Sequence, residues 1–70
     1  MNGKAITILH RFVEGYDPPE RYEKAAKAIG ISQPTLRRCL SFVGHRPKPE
    51  SGERLNKVVG ISYKDIYEVD

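Results

Sequence analysis

Apolar residues recur along this chain at spacings of three and four, the rhythm of helices with one buried face. From Lys4 to Glu14 the positions Ala5, Ile8, Leu9 and Phe12 form such a stripe, and Gly15 follows as a candidate left-handed cap. Asp17-Pro18-Pro19-Glu20 then reads as a start signal, with Asp17 accepting from free amides, Pro18 at the first helical position and Glu20 bonding back. The helix it opens runs to about Ile29, burying Tyr22, Ala25, Ala26 and Ile29, and Gly30 ends it. Ser32 caps a third helix over Gln33–Ser41, whose first turn tolerates Pro34 because amides there lack helical partners. Leu36, Cys39 and Leu40 face inward, and Gln33, Pro34, Arg37 and Arg38 face out. Gly44 to Pro49 is too rich in Gly and Pro for a helix interior. A fourth helix over about Pro49–Val59 turns Leu55, Val58 and Val59 inward and stops at Gly60. Ser62 and Asp65 form a capping box for a short fifth helix carrying Ile66 and Tyr67. The expectation is an all-α bundle of four to five short helices in one domain, residues 1–70.

One segment occurs twice. Lys27-Ala28-Ile29-Gly30-Ile31-Ser32 is echoed by Lys57-Val58-Val59-Gly60-Ile61-Ser62. Each copy ends a helix at Gly, sends an Ile toward the core and caps the next helix with Ser. Two copies are too few for a solenoid, so they read as two similar corners.

Composition narrows the function. Seventy residues make one domain that buries only about 60% of its unfolded surface, which leaves little room for an enzyme cleft. No apolar run approaches the roughly 18 residues of a membrane span, and Met1-Asn2-Gly3-Lys4 does not open a signal peptide. The expected compartment is the cytoplasm, in a bacterial cell the cytoplasm or nucleoid. One cysteine, Cys39, excludes an internal disulfide and reads as a core residue. With only His10 and His45, no zinc spacing exists. No nucleophile–base pair, phosphate loop or paired carboxylates can be assembled, so neither an enzyme nor a cofactor is expected.

Net charge is +3, and its placement says more than its size. From Lys24 to Lys48 the chain carries Lys24, Lys27, Arg37, Arg38, Arg46 and Lys48 without one acid, whereas Asp65, Glu68 and Asp70 crowd the other end. The first corner leads into Gln33-Pro34-Thr35-Leu36-Arg37-Arg38, the second into Tyr63-Lys64-Asp65-Ile66-Tyr67-Glu68. Phosphates would be repelled by the second set, which makes the third helix the candidate reader of nucleic acid.

The pattern Ala26-x3-Gly30-Ile31-x4-Leu36-x2-Cys39 resembles the lambda repressor-like family of helix-turn-helix proteins, which includes phage Cro proteins and repressors. Arg46-Pro47-Lys48-Pro49 and Leu55-x2-Val58-Val59-Gly60-Ile61-Ser62 with Asp65-Ile66 look like that family's later helices, so the likeness covers about residues 18–67. The chain departs from it at Tyr22, where many members have glutamine, and at Pro34. The resemblance implies a transcriptional regulator, of phage or prophage repressor type, reading double-stranded DNA in the major groove with Gln33, Pro34, Arg37 and Arg38. Glutamine can pair with adenine and arginine with guanine. Tyr22, Lys24, Lys27, Ser32, Thr35, His45, Arg46 and Lys48 are its candidate phosphate contacts. The loop residues among them also fit a plain solvated loop. The same family likeness implies a homodimer on a palindromic operator; the residues from Tyr63 onward, which read equally as core closure, are the expected dimer contact, and no small-molecule ligand is expected. A protein-binding adaptor on the same fold, an antirepressor or antitoxin, is the alternative suggested by the acidic, Tyr-rich end.

Overall fold

The computed structural model describes residues 1–41 and 43–68, which leaves Val69 and Asp70 of the proposed self-association segment outside it. The described residues form helices and connections, with no strand among them. The helices are α1 (Gly3–Glu14), α2 (Arg21–Ile29), α3 (Gln33–Ser41), α4 (Pro49–Arg54), which widens into a π-helical turn over Leu55–Val59, and α5 (Tyr63–Tyr67). The protein is therefore an all-α bundle. No helix is long and apolar enough to cross a membrane.

α1 begins where Asn2 Oδ1 accepts the Ala5 amide at 2.9 Å. The Asn2 amide nitrogens also reach α5, its backbone N–H bonding the Asp65 carbonyl and its Nδ2 bonding Asp65 Oδ1, both at 3.0 Å. The buried stripe is Ala5, Leu9 and Val13, with Ile8 and Phe12 half-buried beside it. Gly15 is not a left-handed cap: its φ is −69°, and α1 closes by tightening its last turn, Gly15 N–H to Phe12 O at 3.2 Å and Tyr16 N–H to Val13 O at 3.0 Å.

The start expected at Asp17 is also corrected. Residues 17–20 form a bend with a cis Pro18–Pro19 bond, α2 begins at Arg21, and Glu20 stands at its cap without a side-chain bond. Pro19 has no amide for Asp17 to cap, and a residue that precedes proline is pushed out of the helical region. The joint is fastened instead by Arg21 Nε donating to the Tyr16 carbonyl at 2.8 Å.

Ala25, Ala26 and Ile29 of α2 pack against Leu36 and Cys39 of α3 and the α1 stripe in one core. Between α2 and α3 lie three residues. Gly30 is left-handed at φ 92°, Ile31 is half-buried, and Ser32 Oγ accepts the Thr35 amide at 3.2 Å. The second corner repeats this, with Gly60 at φ 86° and Ser62 Oγ accepting the Asp65 amide at 3.2 Å. Ile61 is fully buried, and Asn56 Nδ2 holds its carbonyl at 2.9 Å.

The fourth helix departs from regular geometry. Around Gly60 the bond reaches back five residues, to Leu55 O at 3.1 Å, which fits one more residue into the turn. That rotation leaves Leu55 in the core, Val59 half-buried and Val58 44% exposed, so Val58 is not the core residue that regular helical spacing predicts.

Candidate functional site

Core and caps consume one side of α3 and leave the other to solvent. Leu36 and Cys39 are fully buried, and burial raises the Cys39 thiol above its ordinary pKa, as suits an apolar filler. Pro34, Arg37 and Arg38 are exposed, and Gln33 is half-buried at the start of the helix. Ser32 and Thr35 are engaged with each other, their hydroxyl oxygens 2.7 Å apart.

Two grooves flank this face. In the first, His10 of α1, Tyr22 of α2 and Arg37, Leu40 and Ser41 of α3 come together, and the Arg37 guanidinium carbon lies 4.5 Å from the centre of the Tyr22 ring, over its face. Thr35 and Arg38 of α3 line the second with His45, Arg46, Pro47 and Lys48 of the connecting loop and Ser51 of α4, enclosing about 300 Å³. Pro47 is buried and anchors the loop, while Arg46 and Lys48 are exposed. No carboxylate lines the second groove, and among the described residues the ion pairs are Lys4–Asp65 and Lys57–Glu53, neither of which uses an α3 cation. The ionised side chains that line this groove, Arg38, Arg46 and Lys48, are all cationic, so its field is positive. A groove of about 360 Å³ on α4 has mixed lining, Glu50, Glu53, Arg54 and Lys57, and so has no preferred sign.

His45 feels this field. Burial first, then the Met1 ammonium and Arg38, lower its pKa below the ordinary 6.5, so the imidazole is neutral at neutral pH. The Met1 ammonium donates to the His45 carbonyl, and the Gly44 amide bonds the Met1 carbonyl at 3.0 Å, which pins the loop against the start of α1.

Of the residues singled out in the sequence, Thr35, Arg38, His45, Arg46 and Lys48 meet in one groove, and Tyr22 and Arg37 meet in the other. Lys24 and Lys27 are exposed on α2 outside both. Three neighbours were not foreseen. Ser51 and His10 complete the grooves, and Arg54 reaches from α4 to the first corner, where a Cβ on Gly30 would lie 2.6 Å from its Nη1. Only Ser51 had a signal, its place in the first turn of a helix that follows a basic loop.

No family model, curated protein or solved structure matches this chain. At the first corner Ala26, Leu36 and Cys39 are core residues and Gly30 is left-handed. Among the described residues, no three His, Cys, Asp or Glu side chains are placed to hold a metal ion.

The two corners differ in what they present. On α5 the Asp65 carboxylate accepts from Asn2 and lies 3.9 Å from Lys4 Nζ, and the Asn2 hydrogen bond above all holds its pKa below the ordinary value. Tyr63, 49% exposed, stacks on Tyr67 with ring centres 6.5 Å apart. The first corner offers cations and the second a carboxylate and an aromatic pair.

Proposed function

We propose that this chain binds duplex DNA as a transcriptional regulator of the phage repressor type, with α3 in the major groove and the α3–α4 loop on the phosphate backbone. The observation that carries the reading is the groove in which Arg38 of α3 meets Arg46 and Lys48 of the connecting loop with no carboxylate in its lining, while Arg37 stands exposed in a separate groove on the same helix. Arg38, which the sequence pattern sets among the base readers, lines the loop groove with Arg46 and Lys48, and in this reading the three meet phosphates, joined by Thr35 and Ser51 hydroxyls and by His45. Gln33, Arg37 and Pro34 face base edges, Pro34 offering only an apolar contact. Bound at a promoter, the domain would act by occluding it or by touching polymerase directly.

Salt titration on random duplex DNA tests this. Log affinity should fall linearly with log salt, and Arg38→Ala combined with Arg46→Ala should flatten the slope by about 1.8, or about 0.9 per lost phosphate contact. Undiminished binding by that double variant would remove the surface from consideration.

The stacked, half-exposed Tyr63–Tyr67 pair supports a further part of the reading, a homodimer on a palindromic operator with half-sites about 34–36 Å apart. Equal affinity and one-to-one stoichiometry on a palindrome and on a single half-site would exclude the dimer.

A further inference from the structure

An arginine that reads a base must hold its fork at one angle, and a long exposed side chain does not do this unaided. Arg37 is exposed on α3, yet its guanidinium carbon sits 4.5 Å from the centre of the Tyr22 ring, within the range of a cation–π contact. The platform is itself fixed. Tyr22 stands in the first turn of α2, is half-buried and packs against the hydrophobic core.

Contact with a ring face has a second consequence. Guanidinium N–H groups lie in the plane of the group, and a π face attracts the charge without accepting those donors in the way a carboxylate would. Among the described residues no carboxylate pairs with Arg37, and beyond the helix ladder its hydrogen bond is through the backbone, the carbonyl accepting from Ser41 Oγ at 2.6 Å. The side chain is oriented and its donors remain uncommitted, the state required for a bidentate contact to guanine O6 and N7.

We propose that Tyr22 is a positioning residue, whose ring orients Arg37 for base recognition, and that its hydroxyl is not the part of it that matters. This rests on the DNA-binding reading above and departs from the phosphate role that the family likeness suggests for this position. The two roles separate cleanly. A phosphate contact needs the hydroxyl and acts on all sequences alike. A platform needs the ring and acts only on the base that Arg37 reads.

The test selects bound sequences from a random duplex pool with the wild type, Tyr22→Phe, Tyr22→Leu, Arg37→Ala and Tyr22→Leu/Arg37→Ala, then measures affinity for the selected site, for the site changed at the Arg37-dependent base, and for random duplex. Tyr22→Phe should keep the wild-type preference. Tyr22→Leu should lose about 3- to 5-fold of the preference at that one base, the size of an exposed cation–π contact, with random-duplex affinity unchanged. In the Arg37→Ala background Tyr22→Leu should change nothing further, because the ring acts through the arginine.

A readout without DNA runs beside it. The Arg37 Hδ and Hε resonances should lie upfield under the Tyr22 ring current, stay there in Tyr22→Phe and return to ordinary positions in Tyr22→Leu. Loss of affinity for every sequence in Tyr22→Phe would overturn the proposal in favour of the phosphate contact. So would an unshifted Arg37, or an undiminished effect of Tyr22→Leu when Arg37 is absent. A wild type that enriches no sequence and binds DNA without salt dependence would overturn the DNA reading and this role with it. That failure is distinguishable, because the ring-current shift would persist.

Discussion

Replacing a glycine inside a helix by alanine ordinarily stabilises a protein by about 0.5–1 kcal/mol, because the unfolded chain loses freedom. At Gly52 the opposite is expected. The residue is buried in α4 beneath Tyr67, and a Cβ there would overlap the Tyr67 hydroxyl and stand 2.8 Å from Cζ. The ring has to swing away. It then gives up its bond to the Lys48 carbonyl, a long one at 3.3 Å, and part of its packing on the core. Such overpacking costs about 1–3 kcal/mol, so the net for Gly52→Ala is a loss of about 1–2 kcal/mol and a Tm lower by about 5–15 °C in a domain of this size. Thermal and urea unfolding followed by circular dichroism measure it. Burial holds the Tyr67 pKa above its ordinary value of 10.0, so ultraviolet titration of the displaced ring should show that pKa falling back toward it. The deciding comparison is in the Tyr67→Ala background, where the obstructing atoms are gone and Gly52→Ala should stabilise. If Gly52→Ala stabilises the parent protein, or if its sign is the same in both backgrounds, the close approach of Tyr67 to α4 is not what requires this glycine.

Three shorter expectations follow from the corners and the loop. Gly60→Ala should cost about 1 kcal/mol from its left-handed φ alone, since nothing lies within 4 Å of the added carbon, with Gly60→Asn recovering part of it in denaturant titration; Gly30→Ala should cost more, because Arg54 must also move. Asp65 has a folded pKa below its ordinary 3.8, so its contribution is complete above that value and disappears as pH falls through the lower one. Asp65→Asn should therefore flatten the acid limb of the stability–pH curve below about pH 4. For His45 the sign runs through the proposed binding: phosphates in the groove would favour the imidazolium that burial and neighbouring cations disfavour in the free protein, so DNA affinity should rise as pH falls toward the lowered pKa of the free protein and His45→Gln should abolish that rise, as measured by fluorescence anisotropy.

Sequence reasoning succeeded where one local rule had no competitor. The bounds of α3 follow from Ser32 and the apolar spacing of Leu36 and Cys39, and the two corners follow from a repeated six-residue pattern that the backbone reproduces, glycine angle and serine cap alike. It failed where two rules met. Asp17 is a good cap beside a first proline and a useless one before a second. Val58 sits correctly for a regular helix, and only the extra residue in the turn before Gly60 carries it outward. The grooves were legible as charge but not as geometry, since which cations meet depends on a loop pinned by Pro47 and by the Met1–His45 contact, between residues 44 positions apart.

The division of labour on α3 has a consequence for how such a protein can change over generations. Its fold depends on Ser32, Thr35, Leu36 and Cys39, which cap or bury. Its outward positions 34 and 38 contribute to neither and Arg37 adds only its contact with the Tyr22 ring, so substitutions there should shift stability by no more than about 0.5–1 kcal/mol. The outer face can therefore drift through many side chains while the molecule stays folded. If that face reads DNA as proposed, a lineage built on this scaffold could acquire a new target by point mutation, without first passing through an unstable ancestor.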